Sequence, residues 1–242
     1  MEHLSDMSNQ IDISYNFYAD TPPNKDPDAH SPTLRRYHKK LWSKRLPNGQ
    51  LFQLVDTRPK TYLYHKSDLG EFFLSSDAIT HSYRSTKQIA QIIEKIPADD
   101  VNSLYDHGST IGAYIVFPGN KVDNKMTING ARGCNSKIRD RFDITLECIR
   151  LYYNNIENPL TSVFQRYGYF FALFVNFRGY VDFFFLQDLV TADYCGVKFY
   201  IPYKCFEDSP LPTSKEEYLK YKENTIKFIQ SRAKRIEDSL RQ

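Results

Sequence analysis

Apolar side chains recur at helical spacing along several parts of the chain. Leu34, His38 and Leu41 share one face of the stretch after Ser31, while Ile89, Ile92, Ile93 and Ile96 share one face of the stretch before Pro97. Leu219, Ile226, Ile229, Ala233, Ile236 and Leu240 do the same near the C-terminus. A repeat close to 3.6 residues marks a helix with one side against a core. Ser31 as N-cap and Pro32 in the first turn start the first of these helices, and Leu46-Pro-Asn-Gly49 stops it. Ser85 with Gln88 and Ser214 with Glu217 have capping-box spacing, so the last helix is expected to run from Ser214 to about Leu240. From Ser136, the positions Ile138, Phe142, Leu146, Ile149 and Tyr153 predict a helix to about Asn155. Arg139, Asp143, Glu147 and Arg150 lie on its other side. A strongly aromatic helix opens at Pro159 and reaches about Phe174, and Arg178-Gly179 breaks it.

Between these lie short runs with strand character: residues 51–55 and 61–65 around the turn at 56–60, 72–75, 111–117, 125–129, 180–186 and 199–203. Residues 118–124 join two of them as a hairpin. The expected fold is α+β, with helices around a central, mostly antiparallel sheet and a long C-terminal helix. Residues 1–30 read as an N-terminal arm or wrapped loop, since the three prolines at 22, 23 and 27 disfavour regular structure. Residues 31–242 read as one domain, long enough to bury a sizeable core.

Composition changes this picture in three places. Hydrophobic residues at 41% and charged residues at 25% are those of a folded globular chain. The 18 Tyr and 17 Phe against one Trp fit core packing first and ring stacking on a ligand second. The net charge is only +3, yet nine Lys or Arg between Arg35 and Lys66 face Asp56 alone. Arg35, Arg36, Lys39 and Lys40 form basic rows on the first helix and are the candidate nucleic-acid residues, with a solvated surface face as the alternative. Cys134, Cys148, Cys195 and Cys205 have neither zinc-site nor redox spacing, and no secretory signal opens the chain, which points to reduced thiols in the cytoplasm and to no bound metal. The most apolar stretch, 163–177, is interrupted by Gln165, Arg166 and Asn176 and falls short of the roughly 20 residues a membrane span needs.

Phosphate-loop, dinucleotide-fold, serine-elbow and zincin motifs are all absent, so those reaction classes are set aside. The richest polar segment is Thr127-Ile-Asn-Gly-Ala-Arg-Gly-Cys-Asn135, expected as a turn at the mouth of the helix from Ser136. There Asn129, Gly130 and Arg132 could hold an anion, or Arg132 could pair with a carboxylate such as Asp140. Glu147, one turn after Asp143 and three residues before Arg150, is either a surface salt bridge or a general base and cation stabiliser in a cleft. His65 ends a predicted strand and is either a satisfied core histidine or a catalytic one.

Tyr62-Leu-Tyr-His65-Lys-Ser67, followed by Gly70-Glu-Phe-Phe-Leu-Ser-Ser76-Asp77, loosely resembles the NAD-gripping strands of ADP-ribosyltransferases. The resemblance implies NAD as substrate, His65 on a ribose and Ser75 at the nicotinamide pocket. This chain departs from it by the close spacing of the two elements and by lacking a Gln-x-Glu or Glu-x-Glu pair, leaving Glu147, Asp182 and Asp188 as candidate acids. Leu69-Gly-Glu-Phe-Phe-Leu-Ser-Ser-Asp77, Thr127-Ile-Asn-Gly-Ala-Arg-Gly133 and Asp140-Arg-Phe-Asp143 are similar to an uncharacterised family of cytosolic bacterial proteins across roughly residues 15 to 235. By analogy alone this suggests a toxin or antiphage effector. The leading expectation is transfer of ADP-ribose from NAD to a macromolecule, RNA foremost. Glu147, Arg132 and His65 would be catalytic, while Asn129, Gly130, Arg132 and Ser75 would bind the dinucleotide, and an antitoxin or chaperone would be a partner. The alternatives are a metal-independent ribonuclease using His38 or His65, and a non-enzymatic nucleic-acid or partner-binding protein.

Overall fold

The computed structural model describes residues 10–57 and 61–241. Strands β1 (Val55–Asp56), β2 (Leu63–Ser67), β3 (Gly70–Ala78) and β4 (Tyr114–Pro118) form one antiparallel sheet in that order. Strand β3 is the pivot, pairing with β2 through its first half and with β4 through its second. The helices of the described residues are α1 (Pro27–His30), α2 (Pro32–Trp42), α3 (Ala90–Ile93), α4 (Ala98–Gly108), α5 (Ile128–Cys134), α6 (Phe142–Tyr153), α7 (Thr161–Arg166), α8 (Gly168–Ala172), α9 (Phe177–Phe183) and α10 (Lys215–Ser239). The fold is α+β with an antiparallel sheet and a long C-terminal helix.

The helices announced at Ser31 and Ser214 form where the sequence places them. In α2, Ser31 Oγ accepts the Leu34 N–H at 3.0 Å, Pro32 needs no partner for its missing N–H, and Leu34, Tyr37, His38, Leu41 and Trp42 are buried along one stripe. In α10, Ser214 Oγ accepts the Glu217 N–H, while the Glu217 carboxylate bonds Thr213 rather than returning to Ser214. Its buried face runs through Tyr218, Tyr221, Phe228, Ile229, Arg232, Ala233 and Ile236. Leu219, Ile226 and Leu240 flank that face and are only partly covered.

Several expected strands are not strands. Residues 125–134 hold Thr127 as an N-cap and then helix α5, not a strand and a turn. Gly130 and Gly133 serve close packing there: a Cβ would stand 2.7 Å from Met126 Cγ at the first and 3.1 Å from Asp140 Oδ2 at the second. Residues 180–186 belong to α9 and the turn after it, because Asn176 caps the helix by accepting the Gly179 N–H at 2.9 Å. Residues 199–203 make no ladder, since the Tyr200 N–H goes to Asp143. Of 51–55 only Val55 pairs in the sheet, with a lone bridge between Leu51 and Arg45. The hydrophobic stripe before Pro97 forms a single helical turn without a side-chain cap, and the aromatic stretch splits into α7 and α8 at Tyr167. The polar segment before Ser31 enters the core: Phe17 is fully buried, edge-on to Tyr37 and Tyr114. Pro27 opens helix α1 at a position where its absent N–H is not needed.

Aromatic rings fill the centre. Phe170 meets Phe72 edge-on, Phe52 lies against Phe183, and Phe174 touches Tyr180, Phe183 and Phe184. Helix α10 closes the opposite side over the turn at residues 111–113 and over α4. Its approach is close enough that a Cβ on Gly112 would stand 2.6 Å from Ile229 O and 3.0 Å from Ala233 Cβ. Gly112→Ala is therefore expected to lower unfolding stability by about 1–3 kcal/mol in urea titrations, with Gly168→Ala, whose added Cβ comes no nearer than 3.4 Å to Tyr152 Oη, as the steric control.

Candidate functional site

The structure brings Ser75, Asn129 and Arg132 to one junction of β3 and α5, where Asn129 bonds Ser75 and Arg132 bonds Asp77, Thr145 and Asp140. Ser75 and Asp77 sit two apart on β3, and Asn129 and Arg132 sit three apart on α5, so each pair shares a face of its element. Two bridges result. Asn129 Nδ2 donates to Ser75 Oγ at 3.1 Å, leaving Asn129 Oδ1 buried without a partner, and Arg132 binds Asp77 at 2.5 Å. The Arg132 guanidinium is fully buried and also donates to Thr145 Oγ1 at 3.0 Å and Asp140 O at 3.4 Å. It has no donor edge turned toward solvent, so the fork expected to hold phosphate is a joint between β3, α5 and α6. Asp77 keeps 34% of its side chain exposed. Burial of its remaining surface raises its pKa, the Arg132 charge opposes that rise, and Asp140 adds to it.

Glu147 lies elsewhere. Thr145 faces Arg132, and two residues further along α6 is a rotation of about 200°. Glu147 there accepts two bonds from Arg150, at 2.8 and 2.6 Å, so the charged ladder is a salt bridge. Asp143, expected beside it on the surface, is completely buried with Arg141 and the Tyr200 N–H. His65 is fully buried, stacked on Phe52 at 4.3 Å, and its Nδ1–H donates to Gln53 O. Burial holds its pKa below the usual imidazole value against the pull of that hydrogen bond. His65 is a core histidine, out of reach of a substrate.

The basic helix is likewise partly spent. Asp56 binds both Arg35 and Lys39, and Arg35 also donates to Asp28 O and Thr61 O. These two cations hold β1 to α2. Arg36 lies over the Tyr37 ring, and Lys40 is exposed. Arg58 and Lys60 of the same basic run fall outside the described residues.

The group that combines reactivity with access is Lys44, which the sequence shows only as one more charge in that run. It follows the end of α2, and a cleft of about 500 Å³ opens between residues 44–47 and α9. Gly179 makes the closeness possible, since a Cβ there would stand 2.9 Å from Pro47 Cγ and would also strike the Phe174 carbonyl. Lys44 Nζ donates to Phe183 O at 2.8 Å and lies 5.5, 4.6 and 4.1 Å from the ring centres of Trp42, Phe183 and Phe185. Burial pulls its pKa down to about 8, and the charge of Arg232 adds to the fall. Arg45, Arg178 and Asp182 line the same cleft. Asp182 accepts from Tyr194 Oη at 2.7 Å and from Gln187 Nε2 at 3.0 Å. A desolvated amine in a cleft with an excess of positive charge is a nucleophile suited to anionic substrates.

The chain belongs to a family of unknown function, DUF6994, whose profile spans residues 11–236. No curated protein and no solved structure matches the chain. Among the described residues no group of His, Cys, Asp or Glu could hold a metal ion, and no helix is long and apolar enough to cross a membrane.

Two outcomes check these assignments. Asp77→Ala strands the Arg132 charge in the core and is expected to cost about 3–5 kcal/mol of unfolding stability, as read by urea titration. For Lys44, the folded pKa of about 8 lies below the ordinary 10.5. Between those values the unfolded chain holds a proton that the folded chain has released, so stability rises with pH in that window. Wild type compared with Lys44→Met is expected to gain up to about 3 kcal/mol across it, and no pH dependence in the difference refutes the depressed amine.

Proposed function

We propose that the protein is an enzyme that binds a small anionic carbonyl compound in the cleft under α9 and joins it to Lys44 as an imine. The observation that carries this reading is the Lys44 amine, caged by three aromatic rings, reachable from the cleft and deprotonated in part near neutral pH. A pKa of about 8 leaves on the order of a hundredfold more free amine at pH 7 than an ordinary lysine has. Arg45 and Arg178 supply positive charge where a carboxylate or phosphate on the substrate would sit.

The chemistry balances without a further reactant. The amine attacks the carbonyl carbon, the C–N bond forms as the C=O pair moves to oxygen, and that oxygen takes a proton shed by nitrogen. The carbinolamine then loses its hydroxyl as water, with the second nitrogen proton, and C=N is made. Asp182 is the carboxylate on the cleft that can pass these protons. This reading differs from the expected use of NAD or RNA at Arg132, Glu147 and His65, because Arg132 and Glu147 are bonded within the fold and His65 is buried in the core. The four free cysteines, three of them exposed, fit a protein working in the reducing cytoplasm.

Reductive trapping tests the proposal. Glyoxylate and pyridoxal phosphate, each with cyanoborohydride near neutral pH, are expected to give a stable adduct concentrated on Lys44 by peptide mass spectrometry. The Lys44→Arg and Lys44→Met variants should lose that adduct while remaining folded. Adducts spread evenly over the surface lysines would end the case.

A further inference from the structure

The Lys44 cage rests on Trp42, the only tryptophan of the chain, and Trp42 rests on His38. Both are fully buried, four residues apart on α2. Trp42 Nε1 donates to His38 Nδ1 at 2.9 Å. An indole N–H can only donate, so Nδ1 must present its lone pair and the imidazole must be neutral, with its proton on Nε2. That nitrogen makes no hydrogen bond but lies 3.4 Å from Asp28 Oδ1. Asp28 is itself fixed by the N–H and hydroxyl of Ser76 on β3.

The two neighbours of His38 favour opposite charge states. A carboxylate at Nε2 favours the imidazolium, and an N–H donor at Nδ1 forbids it. The other ionisable groups around this pair do not remove the conflict. Arg35 donates to Asp28 O, Tyr62 and Tyr114 have phenols whose ionisation Asp28 opposes, and Lys44 and Arg232 stand at the Trp42 ring, 5.5 and 6.0 Å from its centre. Protonation of His38 gains an ion pair with Asp28 and breaks the bond that orients the indole. That is a two-state element with a wall of the amine site as its moving part.

We propose that His38 is a positioning residue for Lys44: its neutral form holds Trp42 against the amine, and its protonation releases the indole and loosens the cage. The regulatory meaning rests on the imine reading, but the coupling itself does not. With the cage loosened, water reaches the ammonium, and the free-amine fraction falls faster with acidity than the titration of Lys44 alone dictates.

Trp42 makes the test direct, because all tryptophan emission comes from this one site. Emission is to be followed over the range in which imidazoles titrate, about pH 5 to 8, with far-UV circular dichroism as the check on folding. In parallel, the rate of Lys44 acetylation by acetic anhydride is to be read by peptide mass spectrometry, which needs no imine. The expected result is a fluorescence transition at constant circular dichroism. The logarithm of the acetylation rate should change with a slope of about two below that transition and about one above it. His38→Gln keeps an acceptor and a donor that do not titrate, and it should abolish both the transition and the extra slope. Should that variant not fold, Asp28→Asn is expected to shift the midpoint to lower pH. Emission that stays constant in wild type, or an extra slope that persists in His38→Gln, overturns the coupling. Failure of reductive trapping alongside an intact transition removes the enzyme reading and leaves the coupling in place.

Discussion

Among the described residues three guanidinium groups lie entirely inside the protein, and the elements are arranged around their donors. A buried arginine has five N–H groups to satisfy in one plane, so acceptors must converge on it from several segments at once. Arg132 draws together β3, α6 and the turn at Asp140. Arg141 pairs with Asp143 and reaches Pro210 O, fastening the long segment before α10 to α6. Arg232 has no carboxylate partner and is held by the carbonyls of Gly112, Tyr114 and Phe184, which lowers its pKa to about 10 through burial. It locks α10 to the start of β4 and to the end of α9. The Lys44 cleft lies beside that lock: α9 lines it, and the Arg232 charge acts on the Lys44 amine.

The same constraint separates structural from available charge. An arginine that is needed to satisfy buried carbonyls cannot also meet a substrate, and Arg132 is the clearest case. Lys44 differs in kind, because a lysine ammonium is a point donor whose charge can be given up. It is held by one carbonyl and three ring faces, none of which neutralises it. That carbonyl and those rings favour the ammonium, but burial and the Arg232 charge outweigh them and lower the pKa to about 8, which is the property of a nucleophile.

Much of the fold was legible from local signals. Ser31-Pro32 and Ser214 start the helices they announce, and the α+β class follows from the alternation of short strand-like runs with helical stripes. The misread segments are those where a cap or a distant contact outweighs propensity. Gly130 and Gly133 look like turn residues, yet the Thr127 cap starts α5 over them, and their missing side chains let Met126 and Asp140 pack close. The aromatic run at 180–186 has no period that tells strand from buried helix, and a cap at Asn176 decided it. Of the residues expected to form the site, Ser75 and Asn129 bond each other and Arg132 is buried against Asp77 and Thr145, contacts that no local pattern announces.

Residue types and short-range spacing determined that helices start at Ser31 and Ser214, that the chain mixes helices with short strands, and that polar residues crowd near Asn129 and Arg132. Those properties depend on neighbours a few positions apart, so the chain alone carries them. Only the tertiary structure decided which charges are free. Whether a lysine or an arginine is solvated, paired or desolvated depends on groups brought from distant sequence positions, such as Arg232, Phe183 and Phe185 around Lys44, and no local pattern records that meeting.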